Sequence, residues 1–241
     1  MRTVLGVLLL ALAVSGQALG SSGMSLEDAD ADVFDKASVR RGAALYSNYC
    51  AGCHSIKHLR YSRFAADLNL KESDLRRDVM LGGASIHDSM LSGMAKSDGT
   101  KWFGVDPPDL SLVSRARGAD WLFSYLKGFY VDPSKPTGVN NAVFPDVGMP
   151  NVLWELQGLQ KPVFKESGGV KVIDRLQLVE KGRMTTDEFD QAMNDLVNFL
   201  VYAGEPALYQ RIPLGKYVIL ALLLLSVLLY QLKKEYWKDV H

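Results

Sequence analysis

The sequence predicts a mainly α domain with long loops and a small β-hairpin, followed by one C-terminal transmembrane helix. Three observations predict it. Apolar residues recur at helical spacing ahead of residue 50, from 120 to 129 and from 189 to 200. Two β-rich runs flank Ser167-Gly168-Gly169. A leucine-rich run, Leu214 to Leu232, lies near the C-terminus. The 27 basic residues balance the 27 acidic ones, so there is no electrostatic footprint for nucleic acid.

Residues 1–20 read as a signal peptide. Arg2 gives the positive start, Val4 to Val14 is apolar but too short to span a bilayer, and small residues follow at Ala18 and Gly20. Glu27, Asp28, Asp30, Asp32 and Asp35 then form an acidic run. Its plain reading is a solvated, partly disordered N-terminus; the sharper one is a patch that steers a basic partner.

Phe34 to Tyr49 reads as a helix whose apolar stripe, Val39, Ala43, Tyr46 and Cys50, leads directly into Cys50-Ala51-Gly52-Cys53-His54. Two thiols three positions apart with a histidine after the second is the spacing that attaches one haem c: two thioethers from Cys50 and Cys53, and iron ligation by His54. A zinc site would need a second pair of ligands, and the remaining histidines, His58, His87 and His241, are scattered. A thioredoxin-like pair gains nothing from an adjacent histidine. Attachment outside the cytoplasm agrees with a signal peptide, and the motif makes this a cytochrome c-type haem domain.

From here the sequence resembles a known family. Phe34-Asp35-Lys36-Ala37-Ser38-Val39-Arg40-Arg41-Gly42, then Tyr46 and the haem motif, is similar to the opening of cytochrome c1. Pro107-Pro108-Asp109-Leu110-Ser111 with Arg115-Ala116-Arg117-Gly118 resembles the family's second signature, and Phe144-Pro145 with Gly148-Met149 its third. Glu205-Pro206, Arg211 and Gly215 leading into the C-terminal span resemble its fourth. The resemblance implies a haem subunit of the cytochrome bc1 complex that takes electrons from a Rieske iron-sulfur subunit beside cytochrome b and passes them to a cytochrome c. Such a subunit is not an enzyme by itself, and the complex is expected to be a dimer.

Between the motif and residue 105 the chain is polar and punctuated by glycines, with a helix expected only at Leu68 to Met80. Pro107-Pro108 makes a rigid extended segment whose carbonyls alone are on offer. The resemblance implies that Pro108, with Pro107 behind it, accepts the proton on the far nitrogen of His54. It also implies that Arg117, with Arg115 as substitute, clamps a haem propionate. Asp120 to Phe129 reads as a helix carrying Trp121, Leu122, Tyr125, Leu126 and Phe129 along one side. Tyr125 and Tyr130 are aromatic candidates near the ring.

A thioether as sixth ligand closes both axial positions and raises the potential. Beyond the expected signal peptide, methionines stand at positions 24, 80, 90, 94, 149, 184 and 193. Met149, between Gly148 and Pro150 in a constrained loop, is well suited to project one side chain, although an unplaced methionine is more often core filler. The resemblance selects Met149 as the second iron ligand with His54, leaving Met94 and Met90 in reserve.

Val163 to Lys165 and Val170 to Ile173 form the hairpin. Thr185 with Glu188 makes a capping box opening a helix with Phe189, Met193, Leu196, Val197 and Leu200 on its buried face, ended by Gly204 and Pro206. The expected organisation is a haem domain over 21–212, a transmembrane helix over 213–232 with Tyr217 and Tyr230 at its interfaces, and a tail over 233–241. Lys233, Lys234 and Lys238 mark that tail as cytoplasmic. The haem domain would therefore face the periplasm from the inner membrane. Two rivals remain: a free-standing membrane-anchored cytochrome c or oxidase haem subunit, and a haem enzyme or sensor with an open sixth position.

Overall fold

A computed structural model describes residues 25–80, 82–167 and 169–238. The signal-peptide reading of 1–20, Met24 and the last three residues of the expected tail lie outside the described residues.

Helix α1 (Lys36–Tyr49) starts where Asp35 turns its carboxylate onto the backbone N–H groups of Ala37 and Ser38, both at 3.0 Å. The predicted stripe is its buried face: Val39 and Ala43 are fully buried, and Tyr46 and Cys50 nearly so. The helix expected over 68–80 is the shorter α3 (Glu72–Asp78), and a further helix, α2 (Tyr61–Leu68), precedes it. They are separated because Asn69 adopts the left-handed conformation (φ 57°) that ends α2. A short antiparallel pair, β1 (Ile56–Arg60) with β2 (Ser89–Met90), and helix α4 (Lys96–Phe103) occupy the stretch expected to be irregular. Helix α4 contains Gly99, where a Cβ would sit 2.4 Å from the Pro107 ring, so tertiary packing overrides its local weakness.

Next come α5 (Val113–Arg117), α6 (Ala119–Lys127) and the antiparallel pair β3 (Phe129–Val131) and β4 (Val139–Asn141). Phe129 thus belongs to a strand rather than to the end of the preceding helix. A single turn, α7 (Trp154–Gln157), leads into the hairpin, which is longer than expected: β5 (Gly158–Ser167) pairs with β6 (Val170–Lys181) along its whole length.

Helix α8 (Thr186–Gly204) opens on the predicted capping box: the Glu188 N–H donates to Thr185 Oγ1 at 3.3 Å, and the Thr185 N–H donates back to Glu188 Oε2 at 2.8 Å. Its apolar face packs across α1, as the sequence leads one to expect. A Cβ on Gly42 would lie 1.9 Å from the Asp195 carbonyl oxygen, so the helices meet backbone to backbone. Beside that contact the buried Asp195 carboxylate accepts from Ser38 Oγ at 2.7 Å and from Arg41 Nε and Nη2 at 2.6 and 2.8 Å. Tyr46, Phe64, Phe199 and Tyr202 complete the core, with neighbouring ring centroids 5.4 to 5.7 Å apart. Each such side chain contributes roughly 1.5–3 kcal/mol by burial.

The acidic N-terminal run is docked rather than free. The Glu27 N–H donates to Ser124 Oγ at 2.7 Å, the Ala29 N–H to Asp120 Oδ1 at 2.9 Å, and the Glu27 carboxylate pairs with Lys127 at 2.5 Å. Ala29 and Val33 are buried, which anchors a segment whose charges point outward. After Gly204 a short link leads into α9 (Leu208–Tyr236), a helix of 29 residues, about 44 Å at 1.5 Å per residue. It is long and apolar enough to cross a membrane, and its apolar window is wholly exposed.

Candidate functional site

The two cysteines and the histidine leave the end of α1 in one tight turn. Cys50 and Ala51 both donate to the Tyr46 carbonyl, at 2.8 and 2.9 Å, and Cys53 and His54 both donate to the Cys50 carbonyl, at 3.0 and 2.8 Å. The Tyr46 hydroxyl closes the turn from below by donating to the His54 carbonyl at 2.6 Å. Gly52, at the apex, faces open space: a Cβ there would meet nothing within 4 Å. Burial, then the neighbouring Cys53, pushes the Cys50 thiol up to about 12. A redox-active C-x-x-C pair needs the opposite shift.

His54 is 9% exposed, and its Nδ1 lies 2.8 Å from the Pro108 carbonyl oxygen. A carbonyl only accepts, so Nδ1 carries the proton and Nε2 presents a lone pair. Burial lowers the pKa of the ring, opposed by the Pro108 bond and by the charge of Asp109, and the neutral, metal-binding imidazole is favoured. The segment after Pro108 is stitched to the residues after His54. Leu110 N–H donates to the Ser55 carbonyl at 2.8 Å, Lys57 N–H to Asp109 Oδ2 at 3.0 Å and His58 N–H to Ser111 Oγ at 3.1 Å.

Met149 lies on a loop shaped by two buried asparagines. Asn140 Oδ1 accepts from the Asn141 and Asp146 N–H groups, both at 2.8 Å, and Asn141 Oδ1 accepts from Val143 and Phe144, at 2.9 and 3.1 Å. Lys135 pairs with Asp146, the residue at φ 61° that turns the chain. Gly148 lies under α4's trailing segment, where a Cβ would come 2.9 Å from Val105 Cγ1. The Tyr125 hydroxyl donates to Met149 Sδ at 3.3 Å, and burial holds that phenol well above its ordinary range, so it keeps its proton. Met149 is half-buried, whereas Met90 and Met193 are sealed into the core. Met94 is half-buried on the loop after β2.

Arg115 and Arg117 diverge. Arg115 pairs with Glu205 at 2.5 Å. Arg117 lies over the rings of Trp121 and Phe144, 5.0 and 5.8 Å from their centroids, without a carboxylate partner among the described residues. Trp121 in turn stacks on Tyr125, centroids 4.9 Å apart and planes 8° from parallel. Arg117, Trp121, Tyr125 and Met149 therefore form one chain of contacts. Tyr130 has no such link; burial raises its pKa, and it lies on β3.

These residues fit a covalently held haem. Two thiols share one turn, a neutral imidazole offers one nitrogen, a thioether stands outside the core, and a guanidinium lies free of the described carboxylates. Sequence reasoning missed the roles of Asp109 and Ser111 in binding the Pro108 segment, and of Asn140 and Asn141 in shaping the Met149 loop. Asx-type bonding by Asp and Asn was a usable signal, but their partners are far away in sequence.

A model of the Cytochrome C1 family matches residues 27–240. Cytochrome c1 of Allochromatium vinosum is 47% identical over 244 residues, covering 100% of both chains. The ammonia monooxygenase gamma subunit of Nitrosomonas europaea is 43% identical over 236 residues, 97% of each chain. Cytochrome c1 of Rhodospirillum rubrum is 28% identical over 229 residues, covering 86% of this chain and 83% of that one.

Proposed function

The chain belongs to the cytochrome C1 family, and from that premise we propose how its residues serve as the haem c electron-transfer subunit of a cytochrome bc1 complex. It is an electron carrier within that complex and not a catalyst on its own. The haem, when bound, supplies a one-electron couple between ferric and ferrous iron.

Cys50 and Cys53 would hold the group covalently, and His54, with Nδ1 committed to Pro108, would offer Nε2 to the iron. Met149 would supply the second ligand, its sulfur oriented by the Tyr125 hydroxyl. Arg117 takes a propionate, since Arg115 is already engaged by Glu205. With His54 and Met149 both committed to the iron, no position would be left for an external ligand, which favours electron transfer over oxygen chemistry. The observation that carries this reading is the Nδ1–Pro108 contact at 2.8 Å, because it commits Nδ1 as a donor and leaves the Nε2 lone pair for the iron.

α9 anchors the domain in the membrane by one pass. Lys233 and Lys234 at its end favour a cytoplasmic C-terminus, which puts the haem domain on the periplasmic side of the inner membrane. Electrons arrive from a Rieske iron-sulfur subunit held beside cytochrome b and leave to a cytochrome c, within a dimeric complex.

The test is purification of the chain from its native membrane in mild detergent, with a reduced-minus-oxidised spectrum, identification of co-purifying subunits and a quinol-dependent cytochrome c reduction assay. A low-spin c-type spectrum with a cytochrome b, an iron-sulfur subunit and quinol-dependent activity is expected. Co-purification with ammonia monooxygenase subunits, or with nothing, would remove the complex from this reading. A high-spin haem would remove the His54/Met149 pair.

A further inference from the structure

We propose that Asp109 is a positioning residue for His54: its carboxylate fixes the Pro108 carbonyl against the imidazole, and so sets the ring's tautomer and its strength as an iron ligand. The inference rests on the reading of His54 as an axial ligand and adds the group that makes it a good one.

Pro107 and Pro108 have no backbone N–H with which to bind their own segment in place. Pro107 packs against Gly99 on one side, and the hydrogen bonds that hold the carbonyl facing His54 come from the residues on its C-terminal side. Asp109 is the next residue, and its two oxygens act in opposite directions along the chain. Oδ1 accepts from the Ser111 N–H at 3.0 Å, curling its own segment, while Oδ2 accepts from the Lys57 N–H at 3.0 Å, three residues beyond His54. Around it, Leu110 bonds to Ser55 and the buried Ser111 hydroxyl to His58. The imidazole–carbonyl contact is thus one of four cross-links between residues 54–58 and 108–111, and Asp109 supplies a side chain able to accept at both ends.

Acceptors are needed on both sides because both neighbours are N–H donors. Asparagine would turn an NH₂ group toward one of them, leaving that backbone N–H without a partner. Burial works against the charged form, yet the Ser111 hydroxyl and the two N–H groups outweigh it and hold Asp109 below the usual carboxylate range.

The experiment uses full-length holoprotein carrying Asp109→Ala or Asp109→Asn, with ¹⁵N-labelled histidine. Two quantities are read: the exchange rate of the His54 ring N–H in the reduced, diamagnetic state, and the haem midpoint potential. Loosening the Pro108 carbonyl should raise ring-proton exchange about tenfold, as the loss of one hydrogen bond implies. The potential should rise, because a less basic imidazole stabilises ferric iron less. Asp109→Asn should fall between wild type and Asp109→Ala, and it carries the test if the alanine variant fails to accumulate. A raised potential with unchanged exchange would mean that Asp109 acts only as a nearby charge, and the positioning role would be wrong. Unchanged values for both would overturn it equally. If the wild-type spectrum itself lacks histidine ligation, the reading of His54 has failed first, and that outcome is distinguishable because it appears before any substitution.

Discussion

The two faces of the haem site are built on different plans. The His54 face is backbone: a turn running off α1, a proline carbonyl and cross-links between two chain segments. It rests on the α1–α8 contact, where Gly42 allows two helix backbones to touch. The Met149 face is side chain: one phenol on α6 donates to the sulfur, and the loop behind it is shaped by two asparagine amides. Of the two proposed ligands, His54 is tied to the fold, whereas Met149 hangs from a loop with one oriented donor. On this reading, damage to the first face should cost the low-spin site or the fold beneath it, and damage to the second should shift the potential and the access of external ligands.

His54→Ala should be the most severe test of that contrast, since it removes the nitrogen that the whole first face presents. Loss of low-spin absorption with the haem still covalently attached through Cys50 and Cys53 is expected in a haem-stained denaturing gel and a visible spectrum. Met149→Ala should leave attachment intact but open one axial position. We expect the midpoint potential to fall by on the order of a few tenths of a volt, read by redox titration, and carbon monoxide to bind where it did not before. Gly42→Ala probes the foundation of the first face: its Cβ would collide with the Asp195 carbonyl, and overpacking of this kind costs about 3 kcal/mol. Thermal unfolding should show that loss while the spectrum of the surviving folded protein stays unchanged. Tyr125→Phe should have the smallest effect, about 1 kcal/mol of ligand orientation, because the ring still stacks on Trp121. A modest fall in potential is expected, since a donor to the sulfur that favoured ferrous iron is gone. A fall as large as that of Met149→Ala would show that the phenol, and not the loop, holds the sulfur.

Legibility in the sequence divides along the same line. The stripe Val39, Ala43, Tyr46, Cys50 and the Thr185/Glu188 capping box are local periodic signals, and both helices formed where those signals lay. The hairpin was visible from its glycines, but its length was not, because Lys161, Pro162, Gln177 and Glu180 are poor strand formers that pairing alone carries. Helix α4 was invisible since Gly99 argues against it locally and only Pro107 packed on its surface explains it. The acidic run read as free because charge is all that its sequence displays, whereas its attachment depends on Ser124, Asp120 and Lys127, each about a hundred positions away. In the site, the attachment motif was legible from spacing alone. Its tuning partners were not: a Tyr125 hydroxyl 24 positions from Met149, and an Asp109 carboxylate 52 positions from Lys57, leave no periodic trace.

The clasp between Ser38 and Asp195 joins residues 157 positions apart, and this fixes an order of events in the life of the molecule. A chain that emerges N-terminus first presents Cys50 and Cys53 long before α8 exists to cover α1. During that interval both thiols are open to whatever machinery forms the thioether bonds; in the complete fold Cys50 is only 8% exposed. Contacts of such sequence separation form slowly, so the docking of α8 onto α1 is expected to follow the exposure of both thiols. A chain ending before Thr186 should therefore accept haem without ever becoming stable, while a full-length chain allowed to fold without haem should accept it poorly afterwards.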